Sequence, residues 1–288
     1  MNTRRIANLD VAPIGLGAMP LSIYERPDEA EAVRVIHAAL DAGMMLIDTA
    51  DIYCPGPDDL GHNERLIARA LRERSSNERV LVATKGGLEH HRDGSFPFNA
   101  APEHLERACE ASLRALGVEC IDLYQLHAPD PAVPFAESIG VLDKLRRSGK
   151  VRHIGLSNVS LRQLVEAEAL VPVVSVQNCL SPHDREDFTC GVLAHCEARG
   201  IAYIAYGPVC GRLGKARIAA NQPLCRVGER HGASPFQVAL AWLLARSPVV
   251  IPIPGARRIR TALDSAAAMH LRLDAQDMAE LNAAFPTP

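Results

Sequence analysis

Four side chains able to hold or move a proton stand at the ends of three apolar runs. Met45-Leu46-Ile47 leads into Asp48, with Tyr53 in the loop beyond; residues 80–84 lead into Lys85, and residues 121–126 into His127. If those runs are neighbouring parallel strands, the four side chains meet at the C-terminal ends, where β/α barrels carry their chemistry. A free tyrosine, with a pKa of about 10, is a poor acid or base at neutral pH. A nearby ammonium stabilises the phenolate, and bringing that value to about 7 takes roughly 4 kcal/mol. Lys85 at contact distance could supply much of it, with Asp48 holding the lysine charged and oriented. His127 could donate a hydrogen bond to a substrate oxygen or relay a proton. Taken singly, each residue has a plainer reading: a loop-capping Asp, a rim Tyr, a structural His. Their joint placement is what points to a site.

The elements that must position them alternate along the chain. Dense apolar runs at 46–48, 80–84, 121–126, 151–156, 173–177, 201–205 and 249–253 read as strands buried on both faces. An eighth is expected within 14–19. Between them, apolar residues recur at helical spacing, as at Val33, Ile36 and Leu40. Ser160 with Gln163 and Ser234 with Gln237 have capping-box spacing, and Asp28 with Glu31 is a looser version. Such alternation implies right-handed βαβ units and a parallel sheet. An open doubly wound sheet would show a glycine fingerprint after its first strand. Gly15-Leu16-Gly17 lacks the third glycine and an immediate helix, so the pattern favours a single-domain (β/α)8 TIM barrel spanning 1–288.

Bulk properties narrow the partners. The chain has 288 residues and a formal net charge of -3, and no sign dominates, so nothing points to nucleic acid or an anionic membrane. No apolar run approaches a membrane span, and the start, Met1-Asn2-Thr3-Arg4-Arg5-Ile6, is not expected to be a signal peptide. The eight cysteines form no CxxC or zinc pattern and read as free thiols of a cytoplasmic protein. His90-His91 with Asp93 is a poor metal site, because adjacent side chains rarely converge on one ion. The oligomeric state is open, a monomer being the simpler expectation.

In combination, three motifs resemble the catalytic tetrad of the aldo-keto reductases: Ile47-Asp48-Thr49-Ala50-Asp51-Ile52-Tyr53, Ala83-Thr84-Lys85-Gly86-Gly87 and Asp122-Leu123-Tyr124-Gln125-Leu126-His127. The similarity continues through Gly155-Leu156-Ser157-Asn158, Val176-Gln177-Asn178, Ala205-Tyr206-Gly207-Pro208 and Ile253-Pro254-Gly255-Ala256-Arg257-Arg258. The resemblance implies a barrel that binds NADP(H), rather than NAD(H), without a Rossmann domain. Tyr53 would be the proton donor, supported by Asp48, Lys85 and His127. Ser157, Asn158 and Gln177 would hold the nicotinamide carboxamide, with Tyr206 stacked on its ring. Gly207 and Pro208 would approach the pyrophosphate, and Gly255 and Asp264 would flank the adenosine end. A guanidinium among Arg257, Arg258 and Arg260 suits a 2′-phosphate.

The resemblance also implies the reaction, reduction of an aldehyde or ketone; the same tetrad serves an NAD(P)-dependent sugar or alcohol dehydrogenase, or a non-catalytic nucleotide-sensing subunit. Departures are visible. Asp264-Ser265 stands where many relatives carry Glu-Asn, Cys179-Leu180-Ser181 where an aromatic is common, and 209–223 is short for a cofactor-clamping loop. The chain stops at Phe285-Pro286-Thr287-Pro288, so no long C-terminal substrate loop is expected. The polar stretch 89–102 reads as a long loop able to cover the pocket, and Phe96, Phe98 and Cys54 are the candidate substrate contacts. Trp242 is expected in a helix away from the pocket.

Overall fold

Each expected apolar run becomes one strand. The computed structural model describes residues 3–76 and 78–287, with the side chains of 212 and 213 left out. Met1-Asn2 at the start and Pro288 at the end therefore lie outside the described residues. A two-stranded antiparallel hairpin comes first, β1 (Arg4–Ile6) and β2 (Leu9–Val11). Then follow β3 (Leu16–Gly17), β4 (Leu46–Asp48), β5 (Leu81–Gly86), β6 (Ile121–Leu126), β7 (Val151–Ser157), β8 (Val173–Cys179), β9 (Ala202–Tyr206) and β10 (Val250–Pro252). These eight lie parallel in chain order. A parallel bridge between Gly17 and Gly255, with Gly15 N–H donating to the Pro252 carbonyl at 3.0 Å, closes the sheet into a barrel. Gly17 is required there: a Cβ would lie 2.7 Å from the Ile253 carbonyl oxygen.

Helices α1 (Glu29–Asp41), α2 (His62–Glu73), α3 (Pro102–Leu116), α4 (Phe135–Arg147), α5 (Leu161–Glu168) and α6 (Val192–Arg199) fill the successive crossovers. Three more, α7 (Gly211–Ala219), α8 (Gln222–His231) and α9 (Pro235–Arg246), lie between β9 and β10, and α10 (Ile259–Ala267) and α11 (Ala275–Ala284) finish the ring. The segment at 209–223 is therefore mostly helix rather than a bare loop. Asp28 and Ser160 cap their helices as expected, Ser160 with the full reciprocal box. Ser234 also caps, but the Gln237 amide turns to Asp264 at 2.6 Å. Asp274 and Asp277 form a box the sequence reading missed, because a third-position Asp is a weaker signal than Glu or Gln.

Two apolar layers hold the barrel. Inside it, Leu46, Leu81, Leu123, Ile204, Ile251 and Ile253 interlock, and Ile6 and Val11 of the hairpin pack onto them. Outside, the strands' other faces meet the helices; Trp242 is fully buried there, donating to Asn282 and packed on Phe285. Among the described residues, no helix is long and apolar enough to cross a membrane.

Candidate active site

Parallel register brings the sequence-predicted acid, base and cation together. Ala83 of β5 pairs with Asp48 of β4 on one side and Leu123 of β6 on the other, so these strands end side by side. Lys85 lies inside β5 and is fully buried. Its ammonium has three hydrogens and finds three oxygens: Asp48 Oδ1 at 2.6 Å, the Thr49 carbonyl at 2.7 Å and Tyr53 Oη at 3.3 Å. The second Asp48 oxygen accepts from Gln177 at 2.7 Å and Gln125 at 3.4 Å. A buried ion pair is stable only when its remaining valences are filled in this way. Burial alone would lower the Lys85 pKa; Asp48 and Tyr53 outweigh it and raise the value.

The expectation that Lys85 pulls Tyr53 towards neutrality is corrected here. Burial is the largest influence on the phenol and raises its pKa; Lys85 opposes this without overcoming it. Tyr53 is thus a protonated phenol at neutral pH. Lys85 can only donate, so it occupies a lone pair of the phenol oxygen and leaves the phenol's own hydrogen for another acceptor. His127 packs edge-on to Tyr53, ring centroids 5.8 Å apart. Burial, and then the Lys85 charge, push its pKa well down, so the imidazole is neutral, and Nδ1 has no hydrogen-bond partner among the described residues.

A cavity of about 600 Å3 opens in front of these groups, within the usual size of ligand pockets. Asp48, Tyr53 and His127 form its inner end, with Phe96, Leu88, Ile23 and Ile52 as apolar wall. Ser157, Asn158, Gln177, Tyr206, Gly207, Pro208, Gly255 and Arg257 line the rest. Asn158 takes a left-handed backbone, φ 57°, and its side chain is already committed: it donates to the His127 carbonyl and Ser157 Oγ and accepts from Tyr206 Oη at 2.8 Å. Gln177 donates one amide hydrogen to Asp48, which leaves its side-chain oxygen to accept. The Tyr206 phenol is pushed up to about 12 by burial, so it stays neutral.

Beyond Tyr206 the wall turns cationic. Gly207 (φ 61°) and Cys210 (φ 62°) shape a turn that ends at the N-terminus of α7, where unpaired N–H groups favour anions. Lys215 on α7 lines the cavity and was missed from sequence; glycines and a basic residue after a strand end were the available signal. Partial burial, then Arg257 and Arg258, lower its pKa. Arg257 is held by the Glu25 carboxylate at 2.7 Å and the Glu25 carbonyl at 3.1 Å.

Several expected contacts lie elsewhere. Arg258 stands at the N-cap position of α10 without a side-chain cap and does not line the cavity. Asp264 accepts from Ser234 and Gln237 and so ties α10 to α9. Cys54 is buried behind the wall with its sulfur 3.1 Å from His90 Nδ1, and burial pushes its thiol up to about 11. Phe98 lines a neighbouring groove. His91 turns to Glu89 and Asp93 to Ser95, away from any shared ion. Asn63 was not singled out from sequence, yet it is fully buried and joins Ala18, Ser22 and Thr49 behind the site.

The sequence profile of the Aldo/keto reductase family matches residues 13–285. The chain belongs to the aldo-keto reductase family. It is 34% identical over 285 residues to an uncharacterised oxidoreductase of Schizosaccharomyces pombe, covering 97% of this chain and 89% of that one. A glycerol dehydrogenase of Gluconobacter oxydans superposes with a TM-score of 0.86 at 28% identity, covering 100% of this chain and 97% of that chain. An aldo/keto reductase of Klebsiella pneumoniae, solved with NADP and acetate, gives 0.84 at 26% identity, covering 100% and 96%. The barrel is thus that of an oxidoreductase family.

Proposed function

We propose that this aldo-keto reductase reduces an aldehyde or ketone to the alcohol, with NADPH as the reductant and Tyr53 as the proton donor. The observation that carries the reading is the Lys85–Tyr53 contact, in which a protonated phenol keeps its hydrogen free towards the cavity. Negative charge grows on the carbonyl oxygen as its carbon is reduced. Tyr53 gives that oxygen a proton, and neutral His127 donates a hydrogen bond to it. Asp48 and Lys85 hold the phenol in place. The cofactor, when bound, supplies the hydride.

The residues present suit NADP(H). Ser157 Oγ and the Gln177 side-chain oxygen would hold a carboxamide; Asn158 positions Ser157 and Tyr206 rather than offering its own amide. Tyr206 offers a ring face, and Gly207 and Pro208 open the way for a pyrophosphate at the start of α7, while Gly255, packed so closely on Pro20 that a Cβ would lie 2.7 Å from it, borders the same cavity. Lys215 and Arg257 form a cationic end suited to a dianionic 2′-phosphate. The Klebsiella relative was solved with NADP, which supports the same cofactor here.

Oxidation of an alcohol or sugar is the second reading, favoured by the glycerol dehydrogenase likeness. It needs Tyr53 to take a proton and therefore to lose its own first, which the raised phenol pKa disfavours at neutral pH. The test follows NADPH oxidation against aldehydes, ketones and sugars, with NADH in parallel and the reverse reaction on matching alcohols. NADPH-dependent loss of carbonyl compound is expected. Binding of neither nicotinamide form would overturn the proposal.

A further inference from the structure

Three oxygens place the Lys85 ammonium, and one of them belongs to the backbone. It is the Thr49 carbonyl, at 2.7 Å, at the start of the turn that carries Tyr53. The Lys85–Tyr53 contact, at 3.3 Å the longest of the three, therefore depends on how that turn is held. Backbone bonds to β5 hold one edge, Thr49 N–H on the Ala83 carbonyl and Asp51 N–H on the Lys85 carbonyl. The wall across the cavity, expected as a long loop at 89–102, is an irregular hairpin with Glu89 N–H on the Pro97 carbonyl and Asn99 N–H on the Gly87 carbonyl. It reaches the turn only through side chains, by Phe96 on the cluster of Ile23, Ile52 and Tyr53 and by the Cys54–His90 contact.

The back of the turn is held by the start of α2. That helix begins at Gly61 without a side-chain cap, so its first N–H groups need partners. Two find them in the turn: Gly61 N–H donates to the Asp51 carbonyl at 2.8 Å, and Asn63 N–H to the Tyr53 carbonyl at 3.1 Å. The Asn63 side chain, fully buried, completes the clasp. Its oxygen accepts from Thr49 Oγ1 at 2.6 Å, and its amide hydrogens go to the Ala18 carbonyl at 2.9 Å and Ser22 Oγ at 2.7 Å. A carbonyl can only accept, so Ala18 fixes which way the amide points. Asn63 does not line the cavity, yet it grips both ends of the turn that joins Lys85 to Tyr53.

We propose that Asn63 is a positioning residue for the proton transfer: by anchoring Thr49 and Tyr53 from behind, it sets the contact between the Lys85 ammonium and the Tyr53 phenol. The proposal rests on the reading of Tyr53 as proton donor and extends it to a residue outside the cavity.

The test compares Thr49→Val, which removes one hydroxyl at nearly constant volume, with Asn63→Ala, the double variant and Ser22→Ala. Ser22→Ala cuts an Asn63 bond on the far side and spares the one to Thr49. Thr49→Val lowers kcat about tenfold, within the roughly 10²-fold that a 1 Å misplacement can cost, and leaves the NADPH Kd within about twofold. Burial holds the Tyr53 pKa up most, Asp48 and Asp51 add to it, and Lys85 pulls it down, with neutral His127 alongside. A displaced Lys85 pulls less, so the alkaline fall in reduction moves to higher pH, which loss of stability alone does not produce. The double variant matches Asn63→Ala, because the two residues act through one bond; if Asn63→Ala does not fold, Thr49→Val decides. Ser22→Ala keeps the wild-type kcat and pH profile. Wild-type kcat with an unmoved alkaline limb in Thr49→Val overturns the proposal, as do equal losses in Thr49→Val and Ser22→Ala. Wild-type turnover in Tyr53→Phe instead sinks the proton-donor reading on which it stands.

Discussion

The two ends of the cavity treat positive charge in opposite ways. At the inner end a single cation, Lys85, is fully enclosed, and every hydrogen of its ammonium meets an oxygen. At the outer end Lys215, Arg257 and Arg258 lie near one another, and the two arginines help to depress the lysine. The inner charge is matched within the protein, so it tunes and positions Tyr53. The outer charges are matched only in part, by Glu25 on Arg257, and the cluster would be eased by an anion. A low-dielectric site makes the first arrangement rigid; a partly hydrated one makes the second responsive to ligand and salt.

The largest effects should come from breaking the inner end. Tyr53→Phe removes the acid and should lower kcat/KM for reduction by about 10²–10⁴-fold, with NADPH binding retained in fluorescence titration; wild-type turnover would discard the assignment. Lys85→Met leaves Asp48 buried and unpaired and should destabilise the fold by about 3–5 kcal/mol in urea. Adding Asp48→Asn should restore much of that stability and none of the activity. A double variant as unstable as the single one would mean that packing, not charge, sets the loss.

An intermediate effect sharpens the contrast. Arg257→Ala should weaken NADPH about tenfold or more, as for loss of a charge-assisted contact, and change NADH by less than about twofold. Equal losses would place the arginine away from the 2′-phosphate. Because burial raises the Tyr53 pKa, reduction should hold through neutral pH and fall only in alkali, as the phenol loses its proton. Oxidation of the matching alcohol should rise over the same range. The smallest expected effect is ionic. Added salt should weaken NADPH binding through the exposed outer end, and should leave kcat, set by the buried inner end, nearly unchanged.

Much of the barrel was legible before any coordinates. Parallel strands buried on both faces must be continuous apolar runs, and each such run at 46–48, 80–84, 121–126 and onward became a strand within a residue or two. What escaped notice lacked that hydrophobic signature. The hairpin around Gly94 is polar and held by backbone bonds, so 89–102 read as loop. Helix α7 is short and glycine-containing, so 209–223 read as loop as well, and Lys215 went unnoticed with it. Asp264 matched a family position, yet which helix it bonds depends on how α9 and α10 pack.

The sequence by itself determined which proton-carrying side chains sit at which strand ends, because strand order and the step of one residue along a strand are local properties. Only the tertiary structure decided their protonation and their partners. Whether Tyr53 holds its proton turns on how completely water is excluded around it, set against one ammonium at 3.3 Å. That balance sums contributions from strands and loops far apart in the chain, and no spacing of residues encodes it.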